Sequence, residues 1–142
     1  MKILCVILLA GLALPALAED PFAREFKDHV VHYNVFPSSV LDPAVARQYQ
    51  LKRATNIHTL NLAVHRKTDN GTEPVDALLK GTVTNFFQQQ QELVFQRVKE
   101  GDAIYFLAQF RVKDENPLTF DFYIRPEGHS QTYELQFRRP LQ

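Results

Sequence analysis

The chain has 142 residues, with 16 Lys and Arg set against 16 Asp and Glu, so its formal net charge is zero. That balance gives no electrostatic case for a nucleic-acid partner, where a basic face would be expected. A single cysteine, Cys5, excludes an internal disulfide framework.

The first element is a leader. Lys2 supplies a positive end, residues 3–14 are apolar throughout, and Ala16-Leu17-Ala18 puts small residues where a signal peptidase reads them. A secretory signal peptide is expected over residues 1–18. Its apolar run is shorter than the about 20 residues a membrane span needs, so no retained transmembrane segment is expected. Cleavage after Ala18 leaves 19–142 as one domain, with 15 basic residues against 16 acidic once Lys2 is gone. Cys5 and Met1 leave with the leader, so the exported chain has no thiol and no thioether copper site. Its 11 Phe and 5 Tyr are left to build the core.

Strand-like alternation begins at Phe26. In "FKDHVVHYNVF", Val31, Tyr33 and Val35 share a face; in "NIHTLNLAVHRK", Leu60, Leu62 and Val64 do. Asp69-Asn70-Gly71 is a strong hairpin signal. Val75, Ala77, Leu79 and Val83 share the next face, and "QELVFQRVKE" is read as one shorter strand turned by Glu100-Gly101-Asp102. Then Ile104, Phe106, Ala108, Phe110 and Val112 align, followed by Leu118, Phe120, Phe122 and Ile124, and by Tyr133, Leu135 and Phe137. Seven such segments with short turns predict an all-β, antiparallel, immunoglobulin-like β-sandwich.

Between the first two strands lies "SSVLDPAVARQYQLKR", residues 38–53. Asp42 is a good N-cap and Pro43 suits the first helical position, which predicts one short helix over 42–49. Two turns are not stable alone. Leu41, Val45 and Tyr49 are therefore expected to dock on the sandwich. The link is long for a hairpin, so these two strands are expected not to be sequential partners. The first strand would cross to the other sheet, and the helix would cover the end it leaves open.

Chemistry-bearing residues are sparse. Along their strands His29 and His32 are three apart and His58 and His65 seven apart, so each pair diverges to opposite faces. No HxH or HExxH pattern exists, His129 stands alone, and no metal site is expected. Ser38, Ser39 and Ser130 lie in no nucleophile elbow. Asp114-Glu115 reads as a turn, and no glycine-rich phosphate loop occurs. No catalytic residue and no cofactor are assigned. Arg47, Lys52 and Arg53 form the one basic cluster, read first as partners of the helix's C-terminal carbonyls and second as an anion contact through the planar fork of Arg53. Asn61 and Asn85 interrupt regular patterns. The candidate binding residues are Arg53, His32, Asn34 and Asn61.

The stretches "HYNVFPSSVLDPAVARQYQLKR", "NLAV" at 61–64, Gly81, Asn85, "EGDAIYFLAQF" and "FDFYIRP" resemble small exported bacterial proteins of domain-of-unknown-function family 4426. The resemblance covers essentially the whole exported chain. Members more often carry Ser after the arginine at position 53, where this chain has Ala54. It implies a Gram-negative envelope setting, most simply the periplasm, and no activity or catalytic residue. The sequence thus points to a non-enzymatic binding or interaction module, its partner another envelope protein or a small anionic ligand; strand addition at a sheet edge is one contact mode. The rival reading is an enzyme or ligand-binding site near the short helix and Arg53. N-terminal sequencing of exported material should begin at Glu19. A membrane-bound product that still carries Met1 would overturn the leader assignment.

Overall fold

Alternating apolar side chains need a partner layer, and two antiparallel sheets provide it in a computed structural model that describes residues 20–140. The leader and its cleavage site lie outside the described residues. In chain order the strands are β1 (Ala23–Glu25), β2 (His29–Pro37), β3 (Ile57–Thr68), β4 (Gly71–Pro74), β5 (Ala77–Thr84), β6 (Gln90–Leu93), β7 (Gln96–Glu100), β8 (Ala103–Arg111), β9 (Leu118–Pro126) and β10 (Tyr133–Arg139). A 3-10 turn (Ser38–Val40) and helix α1 (Pro43–Gln48) occupy the link between β2 and β3. The first sheet runs β1-β2-β3-β8-β7, with β4 on the far end of β3; the second runs β10-β9-β5-β6. In immunoglobulin lettering these are strands A, B, E and D (β2, β3, β8, β7) against G, F, C and C′.

The sandwich is as expected, but it has ten strands among the described residues rather than seven. Two of the additions are the short strands β1 and β4. The third arises because "QELVFQRVKE" is not one strand. Its first part is β6 in the second sheet and its last part is β7 in the first. Val94 and Phe95 make the crossing; Val94 is exposed, and Phe95 packs edge-on against Phe122 at 6.1 Å.

Aromatic rings join the two sheets. Phe137 stacks on Phe120 at 4.7 Å and on Tyr33 at 4.3 Å, and Phe110 meets Phe120 edge-on at 5.4 Å. Phe120 is fully buried. Gly81 lies opposite Phe122 in the β5–β9 register, and a Cβ there would sit 2.6 Å from the Phe122 ring. A glycine is therefore what lets that ring lie across β5. Gly101, at φ 57, supplies the left-handed residue of the tight β7–β8 turn.

The expectation for the first two strands is overturned. β2 pairs directly with β3, from His29 opposite Arg66 to Pro37 opposite His58. The first strand does not cross to the other sheet. The long link costs little, because closure entropy rises only slowly with loop length, and its neck is tied shut. The buried Ser38 Oγ lies 2.7 Å from Ile57 O and 3.0 Å from Ala54 O, and it accepts the Ala54 N–H at 3.2 Å. The Arg53 Nε–H donates to Leu41 O at 2.8 Å and its Nη2 to Ser39 O at 3.2 Å.

Helix α1 is capped as expected: Asp42 Oδ1 accepts from Ala44 N at 2.7 Å and from Val45 N at 3.3 Å. It ends in a Schellman closure, with Leu51 N bonded to Ala46 O at 2.8 Å, Gln50 N to Arg47 O at 3.3 Å and Gln50 at φ 56. Leu41, Val45 and Tyr49 line its seam with the first sheet as expected, but none of them is fully buried. Ala46 is the buried residue, Val45 is 39% exposed and Tyr49 is half-buried. The seam lies over Phe36, Thr59, Val98 and Leu107 on the outer face of the first sheet. The helix thus covers a sheet face rather than an open end.

Phe120→Ala should cost about 3–5 kcal/mol. Chemical denaturation will read this directly, and a variant that unfolds like the parent would remove residue 120 from the core.

Candidate functional site

The first sheet has two faces. Val31, Tyr33 and Val35 of β2, with Leu60, Leu62 and Val64 of β3, face the core. The alternate positions face outward: His32 and Asn34 on β2, Asn61, Ala63 and His65 on β3, Tyr105 and Leu107 on β8. Helix α1 covers one half of this outer face. The other half is an open trough of about 380 Å³ lined by Phe22, His32, Asn34, Asn61, Ala63 and Tyr105, with Tyr33 at its margin. Asn34 and Asn61 sit directly opposite each other, and His32 is opposite Ala63. Asn61 also lines the seam beneath the helix, and its Oδ1 is buried with no hydrogen-bond partner.

Three of the four nominated residues, His32, Asn34 and Asn61, therefore share one depression. Arg53 does not join them; its guanidinium is engaged with the Leu41 and Ser39 carbonyls at the neck of the link. Those carbonyls precede α1, so Arg53 is also not a partner of the helix's C-terminal end. Asn85 lies elsewhere and builds the β5–β6 turn: its Oδ1 accepts from Phe87 N at 3.0 Å and Gln89 N at 2.9 Å. Sequence reading missed Tyr105 and Phe22. Tyr105 was signalled, since it occupies the wet face of the cleanest alternation. Phe22 carried no signal, because it precedes the first recognisable strand.

The histidines diverge along each strand but meet across strands. The rings of His32 and His65 lie 4.9 Å apart, and those of His29 and His129 5.1 Å apart. His65 Nδ1 is 3.2 Å from Thr72 Oγ1, and His29 Nδ1 is 2.9 Å from Tyr133 Oη. His58 is buried beside Phe110, and neither of its nitrogens has a partner. Among the described residues no three His, Cys, Asp or Glu side chains gather around a common metal position. No described helix is long and apolar enough to cross a membrane.

Residues 23–141 match the family described as a domain of unknown function, DUF4426. The chain belongs to the DUF4426 family. A crystal structure of a DUF4426 protein from Pseudomonas aeruginosa PAO1 is 32% identical, with a TM-score of 0.73 over 84% of this chain and 92% of that one. FetP of uropathogenic Escherichia coli strain F11, recombinantly expressed in the E. coli periplasm and crystallised as isolated, is 12% identical, with a TM-score of 0.62 over 84% of this chain and 91% of FetP. A copper-bound variant of FetP, also 12% identical, has a TM-score of 0.59 over 83% and 92% of the two chains. At that identity FetP shares the fold alone. No curated protein matches the sequence.

In this DUF4426 protein, burial pulls His58 below its ordinary value. Burial first, and then the nearby His129, pulls His29 down; burial and then His32 do the same to His65. The sign follows from linkage. The unfolded chain takes up these protons first, so their stabilising contribution is fully present above the ordinary value of 6.5 and is lost as pH falls below it. Unfolding midpoints measured at about pH 8 and about pH 5 should show the protein weaker in acid. His58→Leu, which removes two partnerless nitrogens from an apolar place, should leave stability at the higher pH intact and flatten the acid slope. An unchanged slope would mean His58 is not held neutral.

Proposed function

We propose that this protein is a non-enzymatic binding module of the bacterial envelope, working in the periplasm once its leader is removed, and that it holds a small molecule in the trough beside α1. One observation carries the reading: Asn61 Oδ1, at the trough, is buried without a donor. Leaving such an acceptor unsatisfied costs about 1–3 kcal/mol, which a turn of the amide that presents Oδ1 to a ligand N–H or O–H in the trough would relieve. Around it, the Asn34 amide, the His32 ring and Tyr105 offer orienting contacts, while Phe22 and Ala63 offer apolar area. A concave, mainly apolar site with a few convergent polar groups is the usual form of a small-molecule site.

Among the described residues no Ser, Cys, Asp or Glu lines the trough, which favours binding over nucleophilic or carboxylate chemistry. An anion site or an enzyme centred on Arg53 has less support, since that guanidinium already serves two backbone carbonyls. FetP, a copper-bound protein of the same fold, supports a binding role only in the broadest sense.

Ligand-observed NMR against a set of small polar molecules tests the reading. Hits should bind the parent and Arg53→Ala and be recovered unaltered. Asn61→Leu should lose them while melting no lower than the parent, because an unsatisfied acceptor has been removed. Hits that bind Asn61→Leu equally well would overturn the trough, and chemical conversion of a hit would overturn the non-enzymatic reading. Capture of an envelope protein through His32 and Asn34 would overturn the small-molecule assignment.

A further inference from the structure

We infer that His32 and His65 form a two-histidine site for a divalent transition-metal ion, with Cu(II) the preferred occupant. The site does not rest on the trough reading, and either can fail without the other.

The argument begins with the sheet. His32 is opposite Ala63, and His65 lies two residues further along β3, so the two histidines are diagonal neighbours on the outer face of one paired ladder. Their positions are set by backbone hydrogen bonding on adjacent central strands rather than by a loop.

The ring spacing, which an ordinary edge-to-face contact also gives, has room for a shared ion. An imidazole nitrogen binds zinc-like ions at about 2.0 Å, which puts the ring centre about 3.2 Å from the metal. Two rings that subtend an angle between square and tetrahedral at the metal then have centres about 4.5–5.2 Å apart. The observed spacing is 4.9 Å, with 64° between the planes.

The protonation pattern also fits. A His65 Nδ1–H donated to Thr72 Oγ1 leaves the Nε2 lone pair free to ligate. Outer-sphere hydrogen bonds of this kind commonly fix a metal-binding histidine's tautomer and orientation. Burial and the neighbouring His32 both lower the pKa of His65, which favours the neutral, ligating form. His29 and His129 are similarly spaced, but His29 is deeply buried, where water or an exogenous donor cannot complete a two-histidine site.

The chemistry selects the ion. Imidazole suits copper, nickel and zinc, and Cu(II) heads the affinity order for a given nitrogen site. With no third His, Cys, Asp or Glu gathered among the described residues, the remaining coordination positions fall to water or to an exogenous donor. His32 belongs to both the pair and the trough, so an open position would lie at the trough's edge.

The test uses exported protein purified without an affinity tag, titrated with Cu(II) by calorimetry and followed by electron paramagnetic resonance. One equivalent should bind, with hyperfine structure from two nitrogens. His32→Ala and His65→Ala should each lose more affinity than the about 10–100-fold typical of an outer-sphere change, while Thr72→Val should lose about 10-fold. All three should melt like the parent above pH 7. His129→Ala and Asn61→Leu should bind Cu(II) as the parent does. Equal binding by the His32→Ala/His65→Ala double variant, or loss of binding in His129→Ala, would overturn the proposal.

Discussion

Everything built on the first sheet depends on the register between β2 and β3. Nine residues of β2 run against β3, and because side chains alternate, a slip of one position would exchange the faces. In the observed register Val31, Tyr33 and Val35 meet Val64, Leu62 and Leu60 on the core side. The same register places Asn34 against Asn61 and sets His32 diagonal to His65 on the outside. Core and candidate site are thus two consequences of one pairing.

That pairing survives a long link because the link is itself structured. Ser38, at the start of the link, binds Ala54 and Ile57 at its end, and Arg53 holds the carbonyls that precede α1. Gln109 on β8 grips the backbone of Lys52 from both sides, accepting from its N–H at 3.0 Å and donating to its carbonyl at 2.9 Å. The helix is consequently pinned over half of the sheet's outer face. The uncovered half becomes a trough only because the covered half rises beside it, so the conspicuous "SSVLDPAVARQYQLKR" stretch shapes the site as a wall rather than by supplying ligands.

Several polar groups run against the packing. Asn61 Oδ1, both nitrogens of His58 and Nε2 of His129 are buried without partners. Each is unfavourable where it stands, since a buried polar atom without a hydrogen bond loses its hydration uncompensated. Two of the residues sit away from the trough, so not every such atom reports a ligand. Asn61 differs in lying between the helix seam and an open depression.

Period-two patterning determined the sandwich and its core: the strong alternations in Ile104–Phe110 and Leu118–Ile124 are the buried faces observed, because a half-buried strand leaves no other solution. The cap at Asp42 and the hairpin turns were equally local, and therefore legible. His32, Asn34 and Asn61 could be nominated from their positions on wet faces, but not joined. Tertiary structure alone decided which strands are neighbours, and hence that Asn34 meets Asn61, that His65 meets His32, and that "QELVFQRVKE" divides between sheets. It also decided that Arg53 faces backbone carbonyls. The physical reason is that side-chain period reports only which face a residue takes. Contacts across strands depend on pairing and register, which are set by the packing of the whole sandwich and by a link whose length alone suggested the wrong partner.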